Sequence, residues 1–274
     1  MLTRPRRPKP NHVQSTSSLE RRPSPKPSTD DAVDGLRAGL AVFSRRRQDI
    51  VSVHHTADVR DEIVELARWA RSHQVPCEQM TVAELDRTAQ STHHEGLRVI
   101  AKARPWLPTH DLADLLIRDR AMAIALDRVR NPYNVGAILR NAAFFGVRAV
   151  VIGASAPHPE LSPLAIRVAE GGVEFIQCCR TTDLADTLTR LRSRGVHVTG
   201  TDGQTGRNVR GFPFERPTVL VVGHEREGLS ARVRAACEAV VGVRGSGTME
   251  SLNVAVATGV LLAEMADDRG VRLK

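Results

Sequence analysis

From Ala121 onward the chain alternates short Val/Ile/Leu-rich runs with longer amphipathic stretches, and this constrains its fold more than any other feature of its 274 residues. Residues 122–127, 147–152, 196–201, 218–223 and 239–243 read as strands, and helices are predicted over 135–145, 163–170, 184–194, 230–237 and 251–266. Near-continuous apolar strands separated by helices predict an α/β fold with a mostly parallel sheet covered on both faces. Ser162 followed by Pro163 is a helix-start pair, and Gly195 stops the helix before it. Phe144 and Phe145 read as core, and Cys178 and Cys179 as small buried strand residues.

Residues 34–104 form a smaller periodic unit. Helices are predicted over 35–47, 59–73 and 81–88, the last opened by Thr81 with Glu84 three residues on, and strands over 49–54 and 96–103. This is a small α/β sandwich, joined by a linker over 105–120 to the domain of 121–274. Residues 1–33 read as a disordered tail. Its first 28 residues hold seven basic side chains against Glu20 alone, with six prolines, so most of the formal net charge of +8 lies there. Such an arm suits non-specific phosphate binding or solubility equally.

No apolar run approaches the roughly 18 residues of a membrane span. Cys77, Cys178, Cys179 and Cys237 form no CxxC pair and have no histidine at ligand spacing, so neither a disulfide framework nor a metal site is expected. With no signal-peptide segment, a reducing cytoplasm is the expected location.

In an open parallel sheet, ligands bind beyond the carboxyl ends of the strands. Four such ends carry polar or glycine-rich turns, at 131–134, 200–203, 223–228 and 244–248. The sequence lacks GxGxxG after the first strand, GxxxxGK[ST] and GxSxG, which argues against a dinucleotide fold, an NTPase and an α/β-hydrolase. Asp202, Glu225, Glu227 and Glu250 are not grouped as metal ligands. The edge suits an organic cofactor held largely by main chain.

Three segments carry a family resemblance: NPYNVGAILRNAAFFG (131–146), VLVVGHEREGLS (219–230) and GTMESLNVAVATGVLLAE (247–264). In order and spacing they resemble the motifs of the SpoU/TrmH branch of the SPOUT RNA methyltransferases. The unit of 34–104 resembles the ribosomal-protein-like RNA-binding domain that many members carry in front, with Thr92 to Gly96 matching a short turn and His94 and Arg244 as candidate RNA contacts. The resemblance implies a knotted (deep trefoil) sheet domain, a homodimer, S-adenosylmethionine as cofactor and methylation of a ribose 2′-hydroxyl in rRNA or tRNA. Carried over by position, Thr201, Gly223, Val243 and Leu252 would hold the cofactor, and Asn134, Arg140, Glu225, Ser251 and Asn253 match the catalytic set. The family commonly has proline where this chain has Arg244.

The family assigns proton removal to the arginine matching Arg140. A guanidinium is a poor base, so Arg140 reads better as orienting the hydroxyl and the adjacent phosphate. Six residues apart, Asn134 and Arg140 would differ by about 240° on one helix, which places Asn134 in the turn as an N-cap. Asn253 carries the same ambiguity at the last helix. Glu225 would tether Arg140 or a neighbouring loop. Trp69 reads as packing, and Trp106 suits either packing or base stacking. The alternatives are a family member that binds RNA without methylating it, which the intact polar set disfavours, and a base methyltransferase, which Asn134 and Arg140 disfavour.

Overall fold

A computed structural model of the chain describes residues 30–153 and 161–267. The basic proline-rich segment of 1–29 lies outside the described residues. The first unit contains β1 (Asp30–Asp34), α1 (Leu36–Arg46), β2 (Ile50–His55), α2 (Val64–Ser72), β3 (Cys77–Gln79), α3 (Val82–Ala89) and β4 (Leu97–Lys102). Its sheet runs β1-β4-β2-β3, antiparallel except for β2 and β3. The capping box predicted at α3 is present: Thr81 accepts from the Glu84 N–H and Glu84 reaches back to the Thr81 N–H.

Residues 30–33, expected in the tail, are instead part of β1. Their acidic composition hides the strand, but the partner supplies the charge: Asp30 pairs in register with Lys102 and Asp34 with Arg98, whose guanidinium donates to both Asp34 oxygens at 3.1 and 3.2 Å.

The second unit contains α4 (Thr109–Asp119), β5 (Met122–Leu126), α5 (Pro132–Phe144), β6 (Ala149–Gly153), α6 (Pro163–Val168), β7 (Gln177–Thr181), α7 (Leu184–Ser193), β8 (His197–Thr201), β9 (Arg207–Asn208), β10 (Thr218–Val222), α8 (Ala231–Ala236), β11 (Ala239–Gly242) and α9 (Val254–Asp267). Its seven strands run β7-β6-β5-β10-β8-β11-β9, and every pairing is parallel.

Alternation along β5 divides the core into two layers. Met122, Ile124 and Leu126 face the layer of α5, α6, α9 and the small unit, while Ala121, Ala123 and Ala125 face α4, α7 and α8. The expected linker is therefore partly core: Leu112, Ala113 and Leu116 of α4 are buried in the second layer, and Leu107 donates its N–H to the Cys178 carbonyl at 2.7 Å. No helix among the described residues is long and apolar enough to cross a membrane. Because all strands run the same way, their carboxyl ends and the loops that follow share one edge.

Candidate active site

Helix α5 starts at Pro132, three residues earlier than predicted, which corrects the reading of Asn134. Asn131 is the N-cap, accepting from the Tyr133 N–H at 2.9 Å, and Pro132 takes the first helical position, where its missing N–H costs nothing. Asn134 lies inside the helix and is free to bond elsewhere. Its Nδ2 donates to Glu225 Oε1 at 2.6 Å, and its Oδ1 accepts from Asn253 Nδ2 at 3.0 Å. Asn253 Oδ1 in turn accepts from the N–H groups of Ala255 and Val256, at 2.9 and 3.3 Å, capping α9. One hydrogen-bonded line therefore joins all three sequence motifs.

The polarity of that line is fixed from both ends. An ionised glutamate only accepts, so Asn134 must turn its amide nitrogen toward Glu225 and its oxygen toward Asn253. The donors of the first turn of α9 hold the Asn253 oxygen, leaving its nitrogen for Asn134. Ser251 is exposed in the loop before α9 and makes no side-chain hydrogen bond among the described residues.

Arg140 is not part of this cluster, as the helical angle anticipated. Half-exposed at 51%, it donates to Glu170 Oε1 at 2.5 Å, so Glu225 tethers Asn134 and not Arg140. Arg140 shares its face of α5 with Tyr133, Ala137 and Phe144. Phe144, expected in the core, is 76% exposed and caps this outward stripe.

The loops at the sheet edge are braced by groups that sequence reasoning passed over. Asp127, buried at the end of β5, accepts from the Ser230 N–H at 2.6 Å. Arg128, at φ +63°, pairs with the Glu227 carboxylate and donates to the Gly228 carbonyl at 3.0 Å. Asp202 accepts from the Gln204 and Thr205 N–H groups, the Thr205 hydroxyl and Arg234. Partial burial would raise the Asp202 pKa, but these donors outweigh it and hold the carboxyl far below the usual range. An acid directly after a β-strand is the only sequence signal that marks Asp127 and Asp202.

The expected cofactor residues line up along the same edge. Thr201 donates its hydroxyl to the Val221 carbonyl at 3.0 Å, tying β8 to β10. A Cβ at Gly223 would collide with Gly228 and Leu229 main chain, and one at Gly242 with the Asp202 carbonyl. Side chains are thus excluded where the loops meet, and a ligand here finds peptide groups together with half-buried Val243 and Leu252, which is 51% exposed. This set fits S-adenosylmethionine, whose adenosyl part needs a close main chain and an apolar contact.

The remaining candidates take other positions. Arg244 donates to the Gln204 and Gly206 carbonyls, at 3.1 and 2.7 Å, and so fastens the loop after β11 to the loop after β8. His94 is 4% exposed: its Nδ1 accepts from the Gly96 N–H, which leaves Nε2 to donate to Asp86, both at 3.0 Å. It braces its turn from inside, and His93 and Glu95 are the exposed neighbours. Trp69 packs edge-on to Phe43 and stacks on His73. Trp106 lies under the Arg180 guanidinium, 4.0 Å from the ring centroid. Burial pushes the Cys178, Cys179 and Cys237 thiols up to about 11, so none supplies a thiolate at neutral pH. Among the described residues no group of three His, Cys, Asp or Glu is placed to hold a metal.

Comparison with known proteins places this geometry. Residues 121–263 match the model of the SpoU rRNA Methylase family. The 23S rRNA (guanosine-2'-O-)-methyltransferase RlmB of Shewanella oneidensis is 31% identical over 241 residues, covering 87% of this chain and 98% of that protein. RlmB of Vibrio cholerae is 33% identical over 247 residues, with 88% and 98% covered. Among solved structures, a TrmH-family protein from Porphyromonas gingivalis superposes with a TM-score of 0.68 at 26% identity, covering 86% of this chain and 89% of that one. The SpoU methyltransferase AviRb from Streptomyces viridochromogenes, solved with AdoMet, shares the fold with a TM-score of 0.72 at 22% identity, covering 88% and 91%. With its three motifs joined at one sheet edge and its family model spanning them, the chain belongs to the SpoU rRNA methylase family.

Proposed function

We propose that this chain methylates the ribose 2′-hydroxyl of a guanosine in 23S ribosomal RNA, with S-adenosylmethionine as the methyl donor. The observation that carries this reading is the Glu225–Asn134–Asn253 line, which joins one polar residue from each of the three motifs. Support for the substrate comes from the two RlmB relatives, which match this chain over 98% of their own length.

When bound, the cofactor supplies a methyl group on a sulfonium, open to in-line displacement. Val243, Leu252 and the main chain around Gly223 and Gly242 would hold its adenosyl part, with Thr201 tying β8 to β10 beside them. Asn134, inside α5, holds the loops of Glu225 and Asn253 in register, which would fix how cofactor and ribose meet. Arg140 orients the 2′-hydroxyl and its neighbouring phosphate, the planar fork suiting a phosphate diester. Ser251, exposed in the loop before α9, would accept a hydrogen bond from the substrate.

The unit of 34–104 serves as the RNA-binding domain in front of the 121–274 catalytic domain, and the knotted threading of the family belongs to the same proposal. A homodimer is part of it too. Tyr133 and Phe144 of α5 and Val256 and Val260 of α9 are exposed apolar residues on two helices that pack together, and such patches mark association surfaces.

The test is to incubate the protein and Arg140→Ala with methyl-labelled S-adenosylmethionine and unmodified 23S rRNA or tRNA transcripts, then digest to nucleosides. Label in 2′-O-methylguanosine from 23S rRNA alone, lost in the variant, is the expected result. Label in tRNA or on a base overturns the proposal.

A further inference from the structure

Glu170 occupies a position that two local preferences oppose. It follows the last turn of α6 with φ +45°, a region that glutamate rarely adopts, and it places negative charge at the end of a helix where the dipole disfavours it. What the side chain gains there is two arginines from two different units. Oε1 accepts from Arg140 Nη1 of α5 at 2.5 Å, and Oε2 accepts from Arg37 Nη1 of α1 at 2.7 Å.

The backbone around it has no room to shift. A Cβ at Gly171, where φ is +83°, would lie 2.5 Å from Ala41 Cβ and 3.1 Å from the Arg37 carbonyl. A Cβ at Gly172 would lie 3.1 Å from Arg140 Cα. Residues 170–172 are therefore pinched between α1 and α5, and the carboxylate is aimed by main chain rather than by its own rotamers. Ion pairs this exposed contribute little stability, so stability does not account for a strained glutamate here.

We infer that Glu170 is a positioning residue for Arg140: it sets the direction of that guanidinium and links it, through Arg37, to the small domain. Contact between RNA and α1 is thereby felt at Arg140. This rests on the reading of Arg140 as the group that orients the ribose.

The test compares Glu170→Gln, Arg37→Ala, the double variant and Arg140→Ala in single-turnover methylation of 23S rRNA. Glu170→Gln is expected to lower the rate at least roughly tenfold, with cofactor affinity and melting temperature unchanged, as a misaimed orienting group predicts. Arg37→Ala should cost less, and the double variant should be no slower than Glu170→Gln, since both act along one line. A Glu170→Gln rate within twofold of wild type, with Arg140→Ala inactive, overturns the inference and leaves the function standing. Full activity in Arg140→Ala overturns the role given to Arg140 instead. Independently of activity, the Arg140 Nε–H resonance of arginine-labelled protein, identified by its loss in Arg140→Lys, should move in Glu170→Gln. An unmoved resonance sinks the inference.

Discussion

Asn134 acts as a two-sided relay because its neighbours leave its amide a single orientation. Asn134→Ala removes both bonds and lets the loops of Glu225 and Asn253 drift apart, so the methylation rate should fall roughly a hundredfold while the protein stays folded. Asn134→Asp should be worse still, because it sets a second carboxylate against Glu225. Single-turnover assays with melting curves check both, and an Asp variant faster than the Ala one would refute the relay. Asp202 offers a pH readout. Its folded-state pKa lies far below the ordinary 3.8, so the stabilisation it gives is fully present above that value and is lost as pH falls toward the folded one. Asp202→Asn should therefore unfold at lower urea than wild type at pH 7, with the gap starting to narrow below about pH 5 and still narrowing at about pH 3. A gap that is the same at both ends would show that the charge of Asp202 is irrelevant.

Helix α5 is thin on the side that meets α6. At Gly136 a Cβ would come 2.6 Å from both the Ala165 carbonyl and Val168 Cβ, so α6 packs directly on the α5 backbone. A glycine inside a helix costs up to about 1 kcal/mol relative to alanine, and this close approach is the return for it. Gly136→Leu should lose about 1–3 kcal/mol in urea unfolding, since the two helices must separate. A loss under a few tenths would mean that α6 yields freely. The elements were legible where local chemistry decides them: the Thr81 capping box, Ser162 with Pro163, and the apolar runs of β5, β6, β8, β10 and β11. They were hidden where a partner decides them. Asp30–Asp34 is a strand only because β4 presents Lys102 and Arg98, and the two-residue β9 exists only through its pairing with β11. The site was legible as a set of residues but not as a geometry. Asn131 and Asn134 are equivalent helix starters by composition, and Pro132 settles which one caps. Glu170 has no motif around it, because its partners lie 133 and 30 residues away.

At the scale of the molecule, a buried ion cluster ties the small domain to the sheet domain. Glu174, whose side chain is 2% exposed, accepts from Arg46 Nε of α1 at 2.8 Å and from Arg104 Nη2 at 2.5 Å, and Arg46 also donates to the Lys102 carbonyl at 2.6 Å. Around it the apolar residues of both units form one continuous cluster, from Val33 and Val42 to Ile138 and Val173. The proposed homodimer predicts that Phe144→Asp, at the exposed end of α5, shifts a dimer to monomer in sedimentation; an unchanged dimer mass would place the contact elsewhere, and a monomeric wild type would overturn the dimer. The ion cluster makes a sharper claim. Removing one partner from a buried pair leaves an uncompensated charge, which costs about 3–5 kcal/mol, whereas replacing the whole group by apolar side chains of similar volume is often near neutral. Glu174→Ala should therefore unfold in two steps, the small domain first, at markedly lower denaturant than wild type. Adding Arg46→Met and Arg104→Met to Glu174→Leu should restore much of the loss and the single transition. If Glu174→Ala keeps one transition near the wild-type midpoint, the apolar cluster alone joins the domains, and the rigid path from Arg37 to Arg140 rests on packing rather than on charge.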